Sequence, residues 1–214
     1  MNISKDNSTR LRLLHAARKI FSEQGLKSAT VRDICDLAGA NVAAVSYHFG
    51  SKEELYIAVI KDHIENMERR YPRNLGVTTD SPPEARLRAF VRSHLCQFIG
   101  DGDPINELLS RRLTQEIIEP SRHFLDIFER YCTASRSLLL DIVRAFLPDS
   151  DDLTVSRCGS CIIGQCLLFD FAREAITRMS PELGLKADNL DAITDFIMGF
   201  SLGGIAATRA RRPA

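Results

Sequence analysis

Residues 30–56, TVRDICDLAGANVAAVSYHFGSKEELY, decide the fold, because they predict short helices joined by turns of only a few residues. Thr30 is placed to cap a first helix, and Asp33 follows three residues later as the acid of a capping box. Gly39 stands where a helix ends in a left-handed residue. Asn41 is the next good N-cap and predicts a second helix from Val42 to about His48.

A third helix is predicted to begin directly after the second. Phe49-Gly50 closes the second helix, and Ser51-Lys-Glu-Glu54 is a complete capping box. A helix, a tight turn containing glycine and another helix together form the pattern of a helix-turn-helix, whose second helix enters the major groove of DNA.

The same stretch resembles the DNA-binding signature of the TetR/AcrR family of bacterial transcriptional regulators. The resemblance is carried by Thr30-Val-Arg-Asp-Ile34, Ala38-Gly39 and Tyr47-His-Phe-Gly-Ser-Lys-Glu-Glu-Leu55, with Ala16-Ala17, Ile20-Phe21 and Gly25 upstream. Further along, GQCLLFDFARE (164–174) resembles the penultimate helix of one TetR subgroup. The resemblance implies a homodimer, usually a repressor, that binds a palindromic DNA operator and is released by a small-molecule effector.

The charge distribution agrees with DNA contact at one end of the chain. The whole chain is neutral, with 28 basic and 28 acidic residues. Residues 1–52 nevertheless carry eight Lys/Arg against four Asp/Glu, so the rest carries 20 against 24. A basic amino-terminal part favours contact with phosphates there.

Helical periodicity without any alternating strand pattern predicts an all-α protein of about nine helices. The Pro- and Gly-containing stretch 72–83 predicts a linker. We therefore predict a DNA-binding head with a connecting helix (1–71) and an effector-binding and dimerisation body (72–214). Residues 1–7 are expected to be disordered, and the helices are predicted near 8–24, 51–71, 83–99, 103–118, 121–146, 152–179 and 188–208.

Eight residues are predicted to contact DNA. Val42, Ala43 and Ser46 lie towards the start of the recognition helix, where apolar side chains favour thymine methyl groups. Tyr47 and Lys52 are the preferred phosphate contacts. The other three residues are Thr30, Arg32 and His48. The alternatives are a buried Val42 or His48, and Val45 is predicted to be buried.

Small residues at four-residue spacing predict close helix packing near the carboxyl end. Ser160 and Gly164 lie on one helix and Gly199 and Gly203 on the last. The resemblance implies that these helices form the four-helix bundle of a dimer. The alternative is close packing between the two helices of one chain.

An effector pocket in the body is predicted from apolar side chains with a few polar ones nearby. Its candidate residues are Arg112, Glu116, Phe124, Phe128, Gln165 and Phe169. A pocket of this composition suits hydrophobic or aromatic small molecules. The alternative, which we favour for Arg112 and Glu116, is a set of surface ion pairs.

Cys158, Cys161 and Cys166 raise a second hypothesis, a DNA-binding sensor of thiol oxidation or metal. Cys158-Gly-Ser-Cys161 has CxxC spacing but lacks the second pair that zinc sites normally use, so core packing is favoured. A further alternative is a helical binding module without DNA binding.

The remaining features predict a cytoplasmic protein without catalytic activity. The histidines (15, 48, 63, 94 and 123) form no HExxH motif, and GxSxG and Gly-rich phosphate loops are absent from the sequence. We therefore expect no enzyme, cofactor or metal. No signal peptide or long uninterrupted apolar run is visible, and six cysteines without an export signal indicate reduced thiols.

Overall fold

The computed structural model describes residues 3–99, 103–119, 121–122 and 124–210, with the side chains of 3–5, 126 and 128 also left outside the description. Within these ranges the chain forms only helices and turns, which confirms the predicted all-α class. The described ranges contain ten α-helices, where about nine were predicted. They are α1 Ile3–Ser28, α2 Val31–Ala38, α3 Ala43–Phe49, α4 Lys52–Arg70, α5 Pro83–Ile99, α6 Pro104–Ile118, α7 Leu125–Phe146, α8 Asp152–Phe171, α9 Arg173–Met179 and α10 Leu190–Ala210.

The chain forms two compact units. The head unit comprises Met1–Asn66 and Asp103–Phe128, and the body unit comprises Met67–Gly102 and Glu129–Ala214. This grouping differs from the predicted division after Tyr71, because α6 packs against α1 and so belongs to the head unit. The functional boundary between DNA-binding and effector-binding parts stays a prediction.

The head unit is built around α1, which packs against α2, α3 and α6. Leu13, Ala17 and Phe21 of α1 are fully buried, and the Phe21 ring meets the Tyr56 ring edge-on at 5.2 Å between centroids. The prediction that residues 1–7 are disordered is wrong for residues 3–7, which are helical. Asp6 in this first turn favours the helix, since a carboxylate near a helix amino end is stabilising.

Gly25 breaks α1 near its end, as the sequence predicted. Its backbone angles of φ 72° and ψ 176° are open to glycine and strained for other residues. A Cβ atom at this position would also lie 3.2 Å from Cζ of Arg112. The backbone conformation therefore favours glycine here, and the guanidinium of Arg112 would have to shift by a few tenths of an ångström to admit a methyl group.

Lys52 holds the segment that follows this break. Its ammonium group donates to the backbone oxygens of Leu26 and Ala29, each at 2.9 Å. The bonds join the start of α4 to the turn between α1 and α2. A cation on carbonyl groups near a helix carboxyl end is also electrostatically favourable.

The body unit has α5, α8 and α10 in mutual contact, with apolar side chains of α7 completing its core. The predicted single helix over 152–179 is wrong, because α8 and α9 are bent by 74° at Ala172. Arg173, the first residue of α9, donates to the backbone oxygen of Ile99 at 2.9 Å. This contact with α5 fixes the chain where the new helix begins. Helix α7 also begins later than predicted, at Leu125, and just before it the Phe124 amide donates to the Ser121 oxygen at 2.9 Å.

Two buried histidines are held in their neutral form. In the body unit, Nδ1 of His94 lies 3.1 Å from the Phe90 oxygen, and Nε2 lies 3.0 Å from Oγ of Ser135. In the head unit, Nε2 of His63 lies 3.1 Å from Oγ of Ser110. Burial lowers the pKa of His94 to about 4 and that of His63 to about 3.

Stability should therefore fall as the pH drops below about 6.5, the pKa of an unfolded histidine. Between that value and the depressed folded pKa, the unfolded chain binds protons that the folded chain does not. His94→Gln should reduce the dependence of the unfolding free energy on pH by about one proton between about pH 5 and 6. Urea unfolding across this range measures it, with exposed His15→Gln as the control. An identical pH dependence in the His94 variant and the wild type would contradict the assignment.

Gly25→Ala should destabilise the head unit more than Gly39→Ala does. Gly39 has the left-handed angles φ 59° and ψ 43°, and an added methyl group there would meet no atom of the described residues within 4 Å. This position therefore reports the backbone cost alone. We expect about 1 kcal/mol for Gly39→Ala and about twice that for Gly25→Ala. Chemical denaturation measures both, and equal losses would show that the Gly25 conformation and the Arg112 contact impose no extra cost.

Candidate nucleic-acid interface

Helices α2 and α3 form the predicted helix-turn-helix, and their caps explain why it forms. Oγ1 of Thr30 accepts from the Asp33 amide at 3.1 Å and donates to the Asp33 carboxylate at 2.6 Å. Gly39 ends α2 in the left-handed conformation. Oδ1 of Asn41 accepts from the Ala43 amide at 2.9 Å. The bonds fix the tight turn between the two helices.

The end of α3 is also set by residues close to it in the sequence. Gly50 has φ 86°, and its amide donates to the Ser46 oxygen at 3.1 Å. Oγ of Ser51 then accepts from the Glu54 amide at 3.1 Å and starts α4. Helix α3 begins at Ala43, one residue later than predicted.

Helix α3 has one buried and one exposed face. Val45 is 1% exposed and anchors the helix in the head core, as predicted. On the other side Val42 is 52% exposed and Tyr47 76% exposed, and Ala43 and Ser46 are also exposed. This exposed face, Val42, Ala43, Ser46 and Tyr47, is called the α3 surface below. It brings together four of the eight predicted DNA-contacting residues.

His48 lies away from the α3 surface. Its side chain is only 8% exposed, and Nε2 lies 3.7 Å from a carboxylate oxygen of Asp6. The Tyr47 ring contacts its ring edge-on at 4.9 Å between centroids. The His48 side chain is therefore largely enclosed in the head, and its contact with DNA stays a prediction. Nearby, the Arg10 guanidinium lies 5.1 Å from the centroid of the Phe49 ring, a cation–π contact. The number of charged residues in the sequence did not predict this contact.

The three other predicted contacts lie on neighbouring elements of the head. Arg32 is exposed on α2, and Thr30 is exposed but uses its hydroxyl for the cap. The Lys52 ammonium group donates two hydrogen bonds to backbone oxygens. Because an ammonium group has three N–H donors, a third hydrogen bond to a phosphate is still possible. Contact of these residues with phosphate stays a prediction.

The residues predicted to line an effector pocket are divided between the two units. Arg112, Glu116 and Phe124 belong to the head unit, Gln165 and Phe169 belong to the body unit, and the Phe128 side chain lies outside the description. Several already have partners. Arg112 donates to Gln115 at 3.3 Å, and Glu116 accepts from the Tyr56 hydroxyl at 3.3 Å. Gln165 donates to Oγ of Ser201 at 3.2 Å.

Helices α8 and α10, which contact each other, both expose small and apolar side chains, and we call this set the α8–α10 face. It contains all four residues predicted for close helix packing. Its members are Ser160, Gly164, Leu168 and Phe171 on α8, and Phe196, Gly199, Phe200 and Gly203 on α10. Among the residues that the structure describes, a Cβ atom on Gly164, Gly199 or Gly203 would have no neighbour within 4 Å. The three glycines therefore do not serve close packing within one chain.

Two aromatic members of this face, Phe196 and Phe200, were not singled out from the sequence. Phe196 is 73% exposed and Phe200 is 69% exposed, and their four-residue spacing on one helix face was the available signal. The segment Ala187–Ala210 also has the length and apolar composition of a membrane-spanning helix. Core helices of water-soluble proteins share this composition, and Ile193 and Ile197 of α10 belong to the body core.

The cysteines form no metal site in the described parts of the chain, where no group of three or more His, Cys, Asp or Glu has suitable geometry. Cys166 is 2% exposed, and burial raises the pKa of its thiol to about 12. Cys158 is partly buried and Cys161 exposed. No observation here favours the sensor hypothesis over simple packing of Cys166.

Comparisons with known proteins agree with this geometry. Residues 13–59 match the family model of bacterial regulatory proteins of the tetR family, and residues 83–205 match the C-terminal domain of the HTH-type transcriptional dual regulator CecR. CecR of Shigella flexneri is 27% identical over 187 residues, which cover 80% of each chain. The HTH-type transcriptional repressor KstR2 of Mycolicibacterium smegmatis is 38% identical over 90 residues, 42% of this chain and 43% of the repressor.

A solved transcriptional regulator from Rhodococcus sp. RHA1 has the same fold, with a TM-score of 0.64 at 21% identity over 91% of this chain and 96% of the other. The relatives found are transcriptional regulators and not enzymes. The capped helix-turn-helix and both family models lead to one conclusion: the chain belongs to the TetR family of DNA-binding transcriptional regulators and carries a CecR-type C-terminal domain.

Proposed function

We propose that the protein binds a palindromic operator as a homodimer, acts as a repressor in the cytoplasm, and is released by a small, mainly hydrophobic effector. The observation that carries the DNA-binding part is the α3 surface. Its residues are exposed, while Val45 on the opposite side of the same short helix is buried. The helix is therefore fixed to the head by one face and free to enter a groove with the other.

The chemistry of the α3 surface favours apolar contact with bases. Val42 and Ala43 at its start offer methyl groups that match the thymine methyl in the major groove. Ser46 adds a hydroxyl that both donates and accepts. Tyr47 with Arg32 and Lys52 would contact phosphates, which position the protein without selecting sequence.

The α8–α10 face supports the dimer. Leu168, Phe171, Phe196 and Phe200 are each more than two-fifths exposed, at 44%, 56%, 73% and 69%. An apolar patch of this kind marks an interaction surface. The open glycines Gly164, Gly199 and Gly203 would let the helices of a second copy approach closely. A two-fold dimer presents two copies of α3 and so requires two half-sites with matching spacing.

Release requires an effector that binds one conformation of the dimer more tightly than another with a different spacing of the two recognition helices. An effector with equal affinity for both conformations would leave their populations unchanged. Members of the family include relatives named repressor and dual regulator, KstR2 and CecR respectively. We propose an apolar effector for this chain, as the composition of the body predicts. Genomic footprinting with the purified protein tests the central part of the proposal, and protection of no palindromic site would end it.

Tyr47→Ala should weaken operator binding by about tenfold or more without a comparable loss of stability. The side chain is 76% exposed, and exposed substitutions cost within about 0.5 kcal/mol. Val45→Ala is the matched control, since removal of a buried side chain on the same helix should lower stability by about 1–3 kcal/mol. Mobility shift and urea unfolding measure the two effects. Unchanged DNA affinity for Tyr47→Ala would exclude this residue from the interface.

Gly203→Leu should give a monomer that remains folded. Leucine is the better helix former by about 0.8–1 kcal/mol, and the position faces open space within the chain, so only the dimer contact suffers. Sedimentation velocity measures the oligomeric state, with exposed Ala145→Leu on α7 as the control. A Gly203→Leu protein that stays dimeric would place the interface elsewhere.

A further inference from the structure

The amino-terminal turns of α1 contact the end of α3, and the function proposed above gives them no role. Nε2 of His48 lies 3.7 Å from a carboxylate oxygen of Asp6. One turn further along α1, the Arg10 guanidinium lies 5.1 Å from the centroid of the Phe49 ring. Phe49 is the last residue of α3. The two contacts therefore hold the start of α1 beside the recognition helix.

The position of Phe49 on α3 brings Arg10 to the edge of the α3 surface. Residues that are three and seven apart lie on the same side of a helix. Ser46 and Val42, two members of the α3 surface, precede Phe49 by three and seven residues, and Val42 is 52% exposed. The Phe49 ring therefore continues the line of these two side chains. The Arg10 guanidinium lies at the end of that line.

Helix α1 itself directs the Arg10 side chain towards α3. Leu13 and Ala17 follow Arg10 by three and seven residues, and both are fully buried in the head core. Arg10 is thus on the inner side of α1, but it lies where the core ends and is exposed. A cation–π contact with the Phe49 ring does not use up N–H donors as a hydrogen bond would.

The charge of Arg10 is available to a ligand. Within the described part of the chain, its guanidinium forms no ion pair and no side-chain hydrogen bond. Asp6, four residues earlier on the same helix, directs its carboxylate at His48 instead. A guanidinium group offers a planar fork of N–H donors that matches a phosphate. Arg10 is therefore an ordered and exposed cation whose donors are unused.

We propose that Arg10 binds a phosphate of the DNA backbone at the edge of the major groove, and that the Phe49 ring positions its guanidinium there. This contact rests on the DNA-binding part of the proposed function and lies outside the helix-turn-helix itself. When the α3 surface is in the groove, groups at its edge face the phosphates that border the groove. A phosphate contact carries no sequence preference, so Arg10 strengthens binding to every DNA sequence.

Arg10→Gln should weaken binding to operator and to unrelated double-stranded DNA by the same factor. The slope of log affinity against log salt concentration should also fall by about 0.9 for each protomer bound, since one phosphate contact is lost. The probe is a fluorescently labelled duplex of arbitrary sequence, and anisotropy at several salt concentrations gives affinity and slope. Lys19→Gln is the matched control. It removes one positive charge from an exposed position about two and a half turns away, on the opposite side of α1, and should leave the slope unchanged.

Three results would overturn this role of Arg10. Wild-type affinity and slope in Arg10→Gln would do so while leaving the proposed function intact, whereas a wild-type protein that binds no duplex would end both. A loss of stability in urea unfolding with an unchanged salt slope would show that Arg10 only ties α1 to α3. An equal fall in slope for Lys19→Gln would show a general effect of net charge.

A double-mutant cycle tests the Phe49 ring separately. Phe49→Leu should weaken DNA binding in the wild type and have a much smaller effect in the Arg10→Gln background, because the ring acts through Arg10. Phe49→Tyr keeps an aromatic ring and should bind DNA as the wild type does. Circular dichroism confirms that each variant is folded. Equal effects of Phe49→Leu in both backgrounds would overturn the positioning role of the ring.

Discussion

The hydrogen bonds from the Lys52 ammonium to the backbone oxygens of Leu26 and Ala29 are the constraint on which the head depends. Gly25 ends the regular part of α1, so the chain needs another contact to fix the direction in which α2 leaves it. Lys52 provides this contact from the first residue of α4. One side chain thereby ties the start of α4 to the end of α1 and to the turn that leads into α2.

The recognition helix follows from this arrangement. Helix α3 spans only seven residues, too few for independent stability in water. Its conformation therefore comes from its caps and from the burial of Val45. Asp6 and His48 add a contact between the start of α1 and the end of α3. The side chains of the α3 surface do not pack in the head core, so they remain available for contact with DNA.

Local signals in the sequence predicted the helix-turn-helix in detail, whereas long-range contacts were not predictable. Thr30, Gly39, Asn41 and Ser51 act within a few residues of themselves, so their caps could be inferred from spacing. The bend between α8 and α9 depends on a contact of Arg173 with α5, 74 residues earlier in the chain. The second role of Lys52 was hidden for the same reason, since its acceptors lie 26 and 23 residues away.

The structural role of Lys52 is tested most directly by comparing the free energy of unfolding of Lys52→Met with that of Arg32→Met. Both changes remove one positive charge from the head, but exposed Arg32 lacks the two bonds that Lys52 makes. The account predicts a loss of about 1.5–3 kcal/mol for Lys52→Met, the range for hydrogen bonds to a charged group, and a loss within about 0.5 kcal/mol for Arg32→Met. Equal stability of the two variants would contradict a structural role for Lys52.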